Sequence, residues 1–404
     1  MVASIARWRS FALCPGCNRR PLVTLPTNAK RMRVLLLSPS YPKDAADWRG
    51  VFIRHLVDAL ARSGDLHLMV WAPPGELPHT TAFVATPSES AWLAELMSVG
   101  GISHLIRQGG AKAMLAPIKL LRMIGAAYRR SFDVGIYHVN WLQCALPLPH
   151  DGKPVLIAAL GNDLKLLKLP FVRLLLRRTM RNRQVAICPN ADWMQEPLQK
   201  AFGDMADIIP ISFGIDQQWY DIERRLKPEL PKRWLAVTRL TTDKLGPLFQ
   251  WSETLFRGSE RELHLFGPMQ EEIEVPDWVQ YHGSASPQQL AIEWFPSAYG
   301  LITLSKHSEG RPQVMLEAMA AGLPIVASDM PAHATLVEHG STGMLCNSSR
   351  SYYQAIKHLE GDTINRCFGE AARRKATSEF GSWDDCAQRY IRIYRALLER
   401  GGCE

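Results

Sequence analysis

The chain has 404 residues, 47% of them hydrophobic, which is enough for two ordinary domains and excludes general disorder. No run reaches the ~18 uninterrupted apolar residues of a spanning helix, so any membrane contact is expected to be peripheral. The net charge of +8 is unevenly placed: residues 1–220 carry 26 basic and 15 acidic side chains, a balance of +11, and the remainder carries 21 and 24, a balance of −3.

Residues 1–31 hold six Lys or Arg, no acidic residue and no long apolar core, so they do not form a secretory signal. They read as a basic extension ahead of a start at Met32. Cys14 and Cys17 have a close spacing, but a paired zinc site needs a second half that the neighbouring sequence lacks. The pair is read as incidental, and the other cysteines as reduced thiols of a cytoplasmic protein. Residues 34–37 form the first apolar run and Gly50 opens an amphipathic helix that ends at Gly64. Further strand patterns follow at 66–71, 134–139, 155–159, 185–189 and 208–211, separated by amphipathic stretches. Strands alternating with helices predict a parallel, doubly wound sheet over residues 32–217.

Residues 96–132 and 164–191 of that domain contain no Asp or Glu. They interleave Arg107, Lys112, Lys119, Arg122, Arg129 and Arg130, and then Lys165, Lys168, Arg173, Arg177, Arg178, Arg181 and Arg183, with Leu, Ile, Phe and Met. Cations among apolar residues at near-helical spacing suit either an anionic membrane surface or an ordinary domain helix with a cationic solvent face, and two such stretches together favour the membrane surface. Nucleic acid is not an expected partner, because these stretches hold no recognisable binding module. A second series of strands at 235–238, 262–266, 279–282, 301–304 and 324–328 places another α/β domain over residues 218–383. A closing helix at 384–400 lies in the terminal segment 384–404.

The chemistry-bearing residues cluster at predicted strand ends. Glu309 and Glu317 flank a loop and a short helix between the strands at 301–304 and 324–328, with Pro312 suited to the helix start and Gly322 to its end. Such a crossover puts a helix N-terminus at the carboxyl edge of a parallel sheet, where two carboxylates can accept hydrogen bonds from a polyhydroxylated ligand. Arg239 and Lys244 follow the strand at 235–238 and supply two cations for an anion. Gly50 lets the backbone approach a phosphate at a helix N-terminus. His138 and Asp163 stand at the ends of two N-terminal-domain strands. No Gly-x-Gly-x-x-Gly follows either first strand, which argues against hydride transfer. No Asp-x-Asp pair follows a strand, so a metal lacks its usual ligands.

The run from Ser308 to Ser328 resembles the Glu-x7-Glu motif of the family 4 (group 1) retaining glycosyltransferases, and the segment from Thr238 to Lys244 resembles their Gly-Arg-Leu-x-x-x-Lys segment with Thr238 in place of Gly. The resemblance implies the GT-B fold: two Rossmann-like doubly wound parallel-sheet domains facing a cleft, crossed by a returning C-terminal helix. It implies a nucleoside diphosphate sugar as donor substrate, no cofactor and no metal. Donor binding then falls to Gly50, Arg239, Lys244, Glu309, Gly310, Arg311, Pro312, Gln313 and Glu317, and catalysis to Asp163, His138, Arg239 and Lys244. Related enzymes often read His-Gly-x-Asp where this chain has Leu160, Gly161, Asn162 and Asp163, so the usual imidazole is missing. The expected activity is retaining hexosyl transfer to a glycan or lipid-linked acceptor at the inner face of a membrane, in cell-surface polysaccharide or glycolipid synthesis. The alternatives are a nucleotide-sugar epimerase of the same fold and a catalytically silent nucleotide-sugar-binding protein.

Overall fold

A computed structural model describes residues 31–401, apart from 45–46, 48, 103–104, 106–108, 110, 162, 227–230 and 308, and apart from the side chains of 111–114 and 170. Cys14, Cys17, Arg107 and the Lys112 side chain, all singled out above, lie outside the described residues. Residues from Met32 onward form one compact unit.

Two parallel sheets organise that unit. The first comprises β1 (Met32–Leu37), β2 (Leu66–Trp71), β3 (Ala82–Phe83), β4 (Ile136–Asn140), β5 (Val155–Ala159), β6 (Val185–Pro189) and β7 (Asp207–Ile208), in the order β3-β2-β1-β4-β5-β6-β7. The second comprises β8 (Lys232–Val237), β9 (Arg261–Phe266), β10 (Val279–Tyr281), β11 (Ala298–Thr303), β12 (Ile325–Ser328) and β13 (Gly343–Cys346), in the order β10-β9-β8-β11-β12-β13. Each chain segment starts mid-sheet and winds outward both ways, so the strand order reverses between β1 and β4 and again between β8 and β11. That reversal opens a crevice at the carboxyl ends of the strands.

Burial explains the uninterrupted apolar strands. Every residue of β5 and β6 is buried, as expected for parallel strands covered on both faces. One face of the first sheet packs on helices Ala111–Arg130 and Pro170–Met180 through Leu120, Ile124, Leu176 and Met180. The other face packs on helices Val51–Arg62 and Trp383–Gly401. The core on this second side runs on through Trp383 into Met315, Leu316 and Met319 of the second domain, so the two sheets share buried surface.

Helix Trp383–Gly401 packs on helix Val51–Arg62 and on the first sheet. Buried Tyr390, Ile391 and Tyr394 face β5 and β6, and Arg62 pairs with Asp384 (2.6 Å) and Arg400 with Asp207 (2.5 Å) at its margins. Expected strands at 155–159 and 185–189 match in full. The run at 134–139 is instead β4 over Ile136–Asn140, which moves His138 from a strand end into the strand.

Candidate functional site

The loop between β11 and β12 carries the motif. Pro312 stands just ahead of helix Gln313–Ala320, with extended backbone, and Gly322 takes a positive φ of 73° just beyond the helix end. Opposite this loop, Thr241 caps the short helix Thr242–Leu245 by accepting the Lys244 backbone N–H at 3.3 Å, which fixes the base of the Lys244 side chain. Lys244 Nζ then reaches Glu309 Oε1 at 2.5 Å, and Ser305 Oγ donates to the same oxygen at 3.2 Å. Burial works against charge on Glu309, but Lys244 outweighs it and holds the carboxyl below its usual range. Burial also pulls the Lys244 ammonium down, Arg239 beside it adds to this, and Glu309 opposes both. The 2.5 Å contact and the lowered carboxyl both mark Lys244 and Glu309 as a close, partly buried pair. Arg239, half-buried at the end of the strand, also reaches Gln270 Oε1 at 3.4 Å. Two cations and one carboxylate therefore meet at the carboxyl edge of the second sheet.

Glu317 lies further along the same helix, with Asp216 of the connecting segment close enough to interact. Burial first and Asp216 second push its carboxyl up to about 8. Glu317 and Gln313 line a cavity of about 910 Å³, walled on the far side by Phe52 and His55 of the first domain and by Trp383 and Ser286. Gly50 heads the helix that supplies Phe52. Its φ is 74°, and a Cβ there would sit 2.7 Å from Ser40 Oγ, so the tight turn requires glycine.

Four of the expected site residues serve other ends. Gly310 packs on the first domain: a Cβ on it would lie 2.3 Å from Asn190 Oδ1, and its carbonyl accepts Trp193 Nε1 at 3.0 Å. Arg311 turns into the domain junction, where its guanidinium meets Ser212 Oγ (2.6 Å), Asp192 Oδ2 (3.1 Å) and the Phe380 ring (4.9 Å). Its side chain therefore ties the domains together rather than pointing at a donor. Asp163 is buried, accepts the Leu160 N–H at 2.9 Å and is pushed up to about 6 by burial, which makes it a turn-forming carboxyl. His138 is wholly buried under the closing helix, with Nδ1 2.5 Å from Tyr394 Oη and the Tyr390 ring centroid at 4.9 Å. Burial pulls its pKa down to about 3, so it is a neutral core residue and not a cleft base. The catalytic expectation for His138 is corrected on that ground.

Three residues join the cluster without having been singled out for it. His307 and His333 interact electrostatically with Lys244 and Glu309, and Lys165 with His307. Lys165 comes from the first domain, on helix Asp163–Leu166. His333 is buried and its Nδ1 lies 3.0 Å from Ser328 O, while among the described residues Nε2 has no hydrogen-bond partner. With Nδ1 as the donor, Nε2 is left as an unfilled acceptor. The position of His333 a few residues past β12 was the available signal.

The family described as "Glycosyl transferases group 1" matches residues 242–362, which contain Lys244, Glu309 and Glu317. An exopolysaccharide phosphotransferase of Streptomyces coelicolor is 28% identical over 248 residues, 58% of this chain and 24% of that protein. N-acetyl-alpha-D-glucosaminyl L-malate synthase of Bacillus anthracis is 32% identical over 101 residues, 24% of this chain and 26% of that protein. The chain thus spans about a quarter of the length of these two curated relatives. Among solved structures, sucrose-phosphate synthase from Thermosynechococcus elongatus superposes with a TM-score of 0.69 at 17% identity, covering 92% of this chain and 100% of that one. The Anabaena protein HepE in complex with UDP-glucose gives a TM-score of 0.62 at 14% identity, covering 91% and 100%.

Proposed function

We propose that this chain, which matches the group 1 glycosyl transferases over residues 242–362 and has the two-domain GT-B fold, is a retaining, metal-independent hexosyltransferase. The donor is a nucleoside diphosphate sugar, and the acceptor is a glycan or lipid-linked glycan of cell-surface polysaccharide or glycolipid synthesis. The observation that carries the reading is the Lys244–Glu309 pair beside Arg239, next to a cavity lined by Glu317.

Charge builds on the departing diphosphate as the anomeric bond breaks, and preorganised cations lower that barrier without reorganising. Arg239 and Lys244 supply this charge, which is why a metal is not needed in the proposed reaction. Glu309 accepts hydrogen bonds from sugar hydroxyls while keeping Lys244 in place. Glu317 and Gln313 receive the ribose and the nucleoside in the cavity. The departing phosphate takes the acceptor's proton on the same face, so configuration is retained and no protein nucleophile is used. The burial of Asp163 and its bond to Leu160 N support a mechanism without it. The UDP-glucose in the Anabaena protein makes UDP-hexoses the first donors to try.

Calorimetry with UDP-glucose and other nucleotide sugars tests the donor assignment. Glu309→Ala should lose about 1.5–3 kcal/mol of donor binding, the worth of a hydrogen bond to a charged group, and Glu317→Ala, whose carboxyl is pushed up to about 8, should lose about 0.5–1.5 kcal/mol, the worth of a neutral one, with the fold retained in both. Unchanged affinity in both variants would refute the assignment. Turnover that EDTA abolishes and magnesium or manganese restores would refute metal independence.

A further inference from the structure

Helices Ala111–Arg130 and Pro170–Met180 each bury one stripe against the first sheet and leave a second apolar stripe uncovered. On the shorter helix Phe171, Leu174 and Leu175 are 78%, 62% and 51% exposed, and at i, i+3 and i+4 they share a face with exposed Arg178. On the longer helix Leu115 and Ile118 are 61% and 52% exposed and share a face with exposed Arg122. Both helices cover the same face of the sheet and rest on the same turn: Tyr128 Oη donates to Cys144 O at 3.0 Å, and helix Pro170–Met180 packs against Leu142–Ala145. The two apolar stripes therefore belong to one outer layer.

The charges around this layer separate structural cations from available ones. Arg177 pairs with Asp204 and donates to Ala201 O at 2.9 Å, and Arg183 is buried, donating to Lys153 O at 3.1 Å and to Pro149 O. Arg173, Arg178 and Arg181 are exposed, and among the described residues none of the three pairs with a carboxylate. A second copy of the same face would bring like charges together, which disfavours self-pairing. Large apolar side chains set among unneutralised cations suit the headgroup region of an anionic bilayer, with the rings and aliphatic groups inserted and the guanidinium groups on lipid phosphates.

We propose that this face, with Phe171, Leu174 and Leu175 as its anchors, docks the protein on an anionic lipid bilayer. It deepens the proposed function by naming where the acceptor is met, and rests on that reading for this purpose alone. The geometry fits such delivery, because helix Asp163–Leu166, whose Lys165 interacts with His307 at the cation cluster, directly precedes the docking helix.

The full chain is floated with phosphatidylcholine vesicles with and without phosphatidylglycerol, beside light scattering of its oligomeric state and vesicle-free donor hydrolysis. Binding should require phosphatidylglycerol and weaken as salt screens it. Combined Phe171→Ser, Leu174→Ser and Leu175→Ser, and separately Arg173→Gln, Arg178→Gln and Arg181→Gln, should each reduce partitioning about tenfold or more, with hydrolysis of free donor unchanged. A parent that ignores phosphatidylglycerol vesicles overturns the proposal, as do variants that bind like the parent. An apolar variant that turns an oligomer into a monomer while vesicle binding persists assigns the face to a second copy and overturns it too. Vesicle binding without donor turnover would instead leave the docking face standing and count against the proposed reaction.

Discussion

Glu317 illustrates how one environment can serve binding at the expense of stability. Its carboxyl is pushed up to about 8 by burial and by Asp216, against an ordinary value of 4.5. The folded state therefore holds a proton that the unfolded state has lost between those values, and stability falls as pH rises through that window. One pKa unit corresponds to about 1.4 kcal/mol, so Glu317→Gln should gain about 1–3 kcal/mol on the parent at a pH just above 8 and little near pH 4. Urea denaturation at both values measures it; an equal effect at the two pH values would contradict the assigned cause. Glu317, Glu309, Arg239 and Lys244 were legible in the sequence because each sits in a short local pattern at a strand end. His138 and Arg311 were not. Their roles depend on Tyr394, Asp192 and Ser212, which lie far along the chain, and no local pattern encodes such partners.

The strands and helices were read well where both faces are buried and poorly where the element is short. β5 and β6 are continuous apolar runs and coincide with expectation. β3 has two residues and β13 spans Gly343–Cys346, too short for any periodicity to register. The loops that join the domains carry a further consequence. Gly161 has a φ of 107°, and a Cβ there would fall 2.4 Å from Gly310 N, so backbone meets backbone across the junction beside Glu309. Gly161→Ala should cost about 1–3 kcal/mol from the strained backbone alone and should also displace Glu309, raising the donor dissociation constant. A melt and a donor titration on that variant read the two effects. A variant with parental stability and affinity would mean that the junction does not position the motif.

The two domains and the closing helix act together: the helix seals one face of the first sheet, and its N-terminal Trp383 forms part of the cavity that Glu317 lines. The unevenness of charge along the chain has a structural counterpart in the cationic outer layer of the first domain, opposite in sheet face to that cavity wall. Retaining transfer from a nucleotide sugar is the claim on which the proposed function rests. The direct measurement is proton NMR of the protein incubated with a panel of nucleoside diphosphate sugars, following the first-formed product before it mutarotates. We expect at least one donor to release its sugar with the anomeric configuration kept, and Lys244→Ala to suppress that release. A first-formed product of inverted configuration, an epimerised nucleotide sugar, or no turnover of any donor would contradict it.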